Sequence, residues 1–97
     1  MSQVLWSAQA LSDLEAIKAY ISHDSVNYAE RFISKIFLET EKILCFPNSG
    51  RIVPEAKLDF IREIYINDYR VVYSIVGENI NILTVHHGAK LLGLFEV

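Results

Sequence analysis

Ninety-seven residues hold one folded domain and not two, and 52% hydrophobic against 22% charged residues gives enough apolar surface for a core, which excludes general disorder. Nine Lys and Arg face twelve Asp and Glu, a net charge of -3 that argues against broad affinity for nucleic-acid backbones while leaving room for a local basic site. One cysteine, Cys45, permits no internal disulfide and no cysteine-rich metal site, which suits a reducing compartment.

In chain order, Gln3-Val4-Leu5-Trp6-Ser7 is a short strand whose Ser7 can cap the helix that follows. From Ala8 to about His23, Leu11, Leu14, Ile17 and Ile21 recur at spacings of three and four and share one helical face, with Asp13, Glu15 and Lys18 turned away from it. Asp24-Ser25 offers a fresh N-cap. The second periodic set is Val26, Ala29, Phe32/Ile33, Ile36/Phe37, Thr40 and Ile43/Leu44, and it stops at Phe46-Pro47. So short a link folds the two helices into an antiparallel hairpin. Trp6, Tyr20, Phe32 and Phe37 follow the apolar stripe and are expected in the core, and Cys45 beside the helix end as a packed thiol.

Pro47 to Pro54 reads as loop. Phe60–Ile66 and Tyr69–Val76 then flank the two-residue turn Asn67-Asp68, and Gly77-Glu78-Asn79 turns the chain into Ile80–His87. The predicted class is α+β, a small antiparallel sheet under an N-terminal helical hairpin in the order β-α-α-β-β-β, as one domain over 1–97. A two-residue turn sets Tyr65 opposite Arg70, Ile64 opposite Val71 and Arg62 opposite Tyr73. The face carrying Phe60, Ile64, Ile66, Tyr69, Val71, Tyr73 and Ile75 belongs under the helices. The other, with Glu63, Tyr65, Arg70 and Ser74, is the candidate binding surface.

Several pieces fall in one order along the chain: Trp6, Ala10, Asp13-Leu14, Ile17 and Tyr20-Ile21; Pro47-x-x-Gly50-Arg51; Arg62-Glu63-Ile64; Tyr69-Arg70-Val71-Val72-Tyr73; and Val85-His86-His87-Gly88-Ala89-Lys90. This ordered set resembles the RelE/ParE superfamily of toxins from bacterial toxin-antitoxin modules. The resemblance implies a cognate antitoxin as partner, in a homo- or hetero-oligomer with it. It also implies one of two activities: RelE-like members cut mRNA on the ribosome, whereas ParE-like members inhibit DNA gyrase.

Cleaving RNA at a 2'-hydroxyl requires a base, cations on the crowded phosphate and an acid for the leaving group. In the resembled nucleases strand lysines and arginines and a C-terminal Tyr or His supply these. If this chain is a nuclease, Arg70, Arg62, His87 and Lys90 are the matching residues. Yet Lys90 stands where a family arginine would fall, no tyrosine follows Tyr73, and Phe60–Ile66 holds no lysine. The Gly50-Arg51, Arg62-Glu63 and His-Gly-Ala-Lys pieces look more like ParE, so a gyrase inhibitor is the leading expectation. An mRNA endoribonuclease is the alternative, and an inactive fold that only binds antitoxin is a third reading.

Structural readings stand beside these. Arg70 can pair with Glu63 diagonally across the hairpin, Arg62 can pack as a stem against Tyr73, and Arg51 can dock on a helix C-terminus. His86-His87 without a Cys, Asp or Glu ligand pattern make a poor metal site, so no metal or other cofactor is expected. The run Leu91-Leu92-Gly93-Leu94-Phe95-Glu96-Val97 costs free energy in water and calls for a cover. The residues expected to bind target or partner are Arg51, Arg62, Arg70, Lys90, Leu91, Leu92, Leu94 and Phe95. With no basic leader and no long apolar run, a cytoplasmic chain that does not meet a membrane is expected.

Overall fold

A computed structural model describes residues 1–88. It places β1 at Val4–Trp6, α1 at Ala8–Ser22, α2 at Val26–Lys42, β2 at Arg51–Ile52, β3 at Ile61–Ile66, β4 at Tyr69–Val76 and β5 at Asn79–His87, with one 3-10 turn at Pro47–Ser49. Both helices begin where the sequence supplies an oxygen. Ser7 Oγ accepts from the Ala10 amide and Ser25 Oγ from the Tyr28 amide, each satisfying an orphan donor of a first turn.

The five strands form one sheet in the order β1-β5-β4-β3-β2. β3 pairs with β4 in the register a two-residue turn dictates, with Tyr65 opposite Arg70, Ile64 opposite Val71 and Arg62 opposite Tyr73. Asn67 takes φ 54 there, a conformation its short amide side chain tolerates. Gly77, at φ 60, makes the next turn without the penalty a Cβ would bring.

The sheet is mixed, not purely antiparallel as the sequence pattern suggests. β1 runs parallel to β5, Val4 to Trp6 lying against Ile80 to Ile82, because the helical hairpin carries the chain back so that its first and last strands point the same way. β2 is a further strand inside a stretch expected to be loop; its two residues pair with Arg62 and Glu63.

The main core lies between the helices and the sheet: Ala10, Leu14 and Ile17 of α1, Phe32 and Ile36 of α2, and Ile66, Val71, Tyr73, Ile80, Ile82 and Val85 from the strands. Each such aliphatic side chain contributes about 1.5–3 kcal/mol by leaving water. Trp6 rests on Phe37 at 5.0 Å and Phe32 on Tyr69 at 5.5 Å. Four expectations for the periphery are corrected. Tyr20 is largely exposed, Phe37 is only half covered, Phe60 precedes its strand and is exposed, and Cys45 is exposed. Tyr20 lies in the last turns of α1 and Cys45 just past the end of α2.

The far face of the sheet is not bare either. Val53, Ile61 and Val72 are buried there with Ala56 and Leu83 packed on them, because residues 53–58 fold across the strands. Val53 O accepts from the Ala56 and Lys57 amides, which closes this segment into a tight turn and sets Glu55 at its crest.

Candidate functional site: a neutralised arginine network

Arg70 and Glu63 are diagonal neighbours on adjacent strands of that far face, and β2 delivers Arg51 directly opposite Glu63. Glu63, 1% exposed, receives all of them. Its Oε2 accepts from Arg51 Nε, and its Oε1 accepts from Arg70 Nε at 3.0 Å and again from Arg70 Nη2. From above, Glu55 grips the other side of the same guanidinium, accepting from Arg70 Nη1 at 3.1 Å and from Nη2 at 3.3 Å. Two carboxylates thus cancel two guanidiniums.

Burial works against the Arg70 charge, but the hydrogen bonds of Glu55 and Glu63 outweigh it and leave the pKa above its ordinary value. Arg51, mostly in water, is also held above its ordinary value, chiefly by the hydrogen bond to Glu63. In turn Arg70 holds the Glu55 carboxyl below the usual carboxylate range.

The sequence-predicted residues are therefore distributed unevenly. Arg51 and Arg70 do meet, but through Glu63. Arg70 is 5% exposed, so the expected binding surface does not present it as a free cation. Its diagonal pairing with Glu63 is the reading the structure supports. Arg51 docks on that carboxylate and not on a helix end. Arg62 lies opposite Tyr73, and its guanidinium instead closes the 48–50 loop, donating to Asn48 O at 3.3 Å, Gly50 O at 2.9 Å and Asp59 O at 2.9 Å. Tyr73 braces the same loop, its hydroxyl donating to Pro47 O at 2.7 Å and accepting from Gly50 N at 3.0 Å. Burial raises the pKa of that hydroxyl.

Only one histidine shares a face with Arg70, as strand alternation requires, and it is His86, not His87. His86 lies opposite Arg70, its Nδ1 2.9 Å from His87 O and its Nε2 buried without a hydrogen-bond partner. His87 stands on the helix side, edge-on to Tyr69 at 5.8 Å. Lys90, Leu91, Leu92, Leu94 and Phe95 lie outside the described residues. Among those described, no group of three His, Cys, Asp or Glu side chains could hold a metal ion, and no helix is long and apolar enough to cross a membrane.

Sequence reasoning missed two participants. Glu55 sits in a segment without periodicity, so nothing in the pattern aims it at Arg70. Asp13, read as pointing away from the stripe, reaches over the edge of the sheet to β5. It accepts from Thr84 Oγ1 at 2.6 Å and from the Val85 amide at 2.9 Å. An irregularity in the β4–β5 pairing lies beside these contacts: the register slips by one between Val72 and Tyr73, and Leu83 is the extra residue.

Comparison with known proteins agrees with this architecture. A curated protein named Toxin RelE2, from Caulobacter vibrioides, is 28% identical over 92 residues, which are 94% of this chain and 100% of that protein. A solved structure titled as a chromosomal ParDE TA system from P. aeruginosa has the same fold, with a TM-score of 0.72 at 20% identity, covering 90% of this chain and 96% of that one. The model of the family described as ParE toxin of type II toxin-antitoxin system, parDE, matches residues 4–92. A match over that span, on the helical hairpin and mixed sheet described above, shows that this chain belongs to the ParE toxin family of type II toxin-antitoxin systems.

Proposed function

We propose that this toxin acts by binding and not by cutting RNA, that its target is DNA gyrase, and that a cognate antitoxin neutralises it. The observation that carries the reading is the state of Arg70. Four hydrogen bonds to Glu55 and Glu63 engage all three of its nitrogens and four of its five N–H donors, so its charge is paired with carboxylates and not aimed at a scissile phosphate. The strands β3, β4 and β5 contain no lysine that could take its place. A phosphate-cleaving centre needs cations aimed at developing negative charge, and here Arg51 and Arg70 are both paired with carboxylates.

The alternative, an mRNA endoribonuclease, draws on two observations: the curated relative carries the name Toxin RelE2, and His86 brings a spare ring nitrogen to the strand position opposite Arg70. Purified toxin added to a gyrase supercoiling reaction, and separately to translating ribosomes with the mRNA mapped for breaks, distinguishes the two. Loss of supercoiling with intact mRNA is the expected result. Breaks that vanish in His86→Ala, with gyrase untouched, overturn the proposal. Failure in both assays leaves a fold that serves only to bind antitoxin.

A further inference from the structure

A groove of about 380 Å³ runs between α1 and the far end of β5, where His86 also borders it. Its lining includes Asp13, Ala16, Tyr20, Tyr69, Val85 and His87. The volume falls within the roughly 300–1,000 Å³ of sites that enclose a small ligand or a long side chain. Tyr20, 73% exposed, offers a bare ring, and Tyr69 and His87 stand edge-on to each other at 76°.

The floor is anionic. The Asp13 carboxylate accepts from Thr84 Oγ1, the Val85 amide and, at 2.8 Å, Gln9 Nε2, all neutral donors. Among the described residues no Lys or Arg forms an ion pair with it, so its charge is oriented but not cancelled. Among the described residues, no lysine or arginine lines the groove. The pKa of Tyr69 is raised, first by burial and then by Tyr20, Asp68 and Tyr28.

The backbone at this point excludes one mode of recognition. β1 stops pairing with β5 at Ile82, and just beyond it the Leu83 carbonyl is taken by Ser7 Oγ at 2.9 Å and the Val85 amide by Asp13. A partner strand would have to displace both before it could extend the sheet here. What remains accessible is a slot with a carboxylate at its base and aromatic faces at its sides. A flat, weakly hydrated guanidinium matches both features: it bonds a carboxylate through its edge and stacks on rings through its face. An acidic group would meet like charge. A purely apolar one would cover Asp13 without compensating it. The chain's net charge of -3 also favours a basic partner.

We propose that this groove receives an arginine side chain from a protein partner, with the guanidinium on Asp13 and stacked against Tyr20. The proposal does not depend on whether the toxin acts on gyrase or on mRNA.

The test is a titration of the isotope-labelled full chain with the peptide acetyl-Leu-Arg-Leu-amide, followed by amide chemical shifts. The same peptide with citrulline in place of arginine, near-isosteric and uncharged, is the control. Shifts should cluster at residues 13–20 and 85–87, and affinity should fall at least about tenfold with citrulline, a loss of the order a desolvated charge contact carries. Tyr20→Ala, at an exposed position that leaves the core intact, should weaken arginine-peptide binding several-fold. Asp13→Asn should bring arginine and citrulline peptides to equal affinity. Equal binding of the two peptides by the unaltered chain, shifts confined to other surfaces, or an unchanged affinity in Tyr20→Ala would each overturn the proposal.

Discussion

Glu63 is the most constrained charge in the molecule. It is removed from water at the centre of the far face, and among the described residues two arginines on neighbouring strands compensate it. Truncating one partner of a buried ion pair leaves an uncompensated charge, which costs about 3–5 kcal/mol. Glu63→Ala strands Arg70 with Glu55 alone, so it is expected to destabilise the fold by an amount in that range, read as a lowered urea midpoint at unchanged slope. Replacing Arg51, whose guanidinium is mostly in water, should lower the midpoint far less. Equal losses for the two variants would contradict the asymmetric picture.

Glu55 adds a pH dependence of definite sign. Its folded pKa lies below its ordinary value of 4.5, primarily through the Arg70 hydrogen bond. Such a group stabilises the fold fully above its unfolded pKa and loses that contribution as pH falls through the folded one. Stability should therefore decline as pH drops below about 4.5. Glu55→Gln should start lower at neutral pH and show a shallower acid decline in urea midpoints measured across that window.

The elements depend on a few side chains that connect them. Asp13 does for the outer edge of β5 what a neighbouring strand would have done, by receiving the Val85 amide. Asp13→Ala should cost about 1–3 kcal/mol, the penalty of an unsatisfied buried donor, and hydrogen exchange at Val85 should accelerate accordingly. The 47–50 loop hangs on Tyr73 in the same way. Tyr73→Phe removes both hydrogen bonds of the buried hydroxyl and should destabilise by a similar amount, about 1–3 kcal/mol. Gly50→Ala should be worse, because a Cβ there would lie 2.5 Å from the Tyr73 hydroxyl and 2.7 Å from Glu63 O. Thermal unfolding of the three variants gives the ranking.

The two helices, their serine caps and the β3–β4 register were legible in the sequence because each is encoded locally. Period, cap and turn length all lie within a few residues of what they determine. The direction of β1 was not legible, since three residues carry no sign of whether a distant partner runs with them or against them. β2 was hidden in a loop composition for the same reason. The candidate site divides along the same line. The Arg70–Glu63 diagonal follows from register, whereas Glu55 arrives from an irregular turn that only tertiary packing places. Leu83, the extra residue of β5, and the Thr84–Asp13 contact beside it leave no signature in the pattern.

At the scale of the molecule, the helical hairpin and the sheet share one core from Trp6 and its neighbours to Val85, with a smaller cluster beneath residues 53–58. Such a single unit should unfold cooperatively. Trp6, the one tryptophan, reports on the junction of β1, α2 and β5. Its fluorescence and the far-ultraviolet circular dichroism should give the same urea midpoint, and separated midpoints would show that the β1 side melts on its own.

The parallel contact of β1 with β5 has a consequence for the order of events in the cell. Residues 4–6 leave the ribosome long before the strand they must lie beside, at 80–82. Until that strand has emerged, the nascent polypeptide cannot seat β1. A fold that depends on this contact is thereby withheld while the helices and the intervening strands are already made.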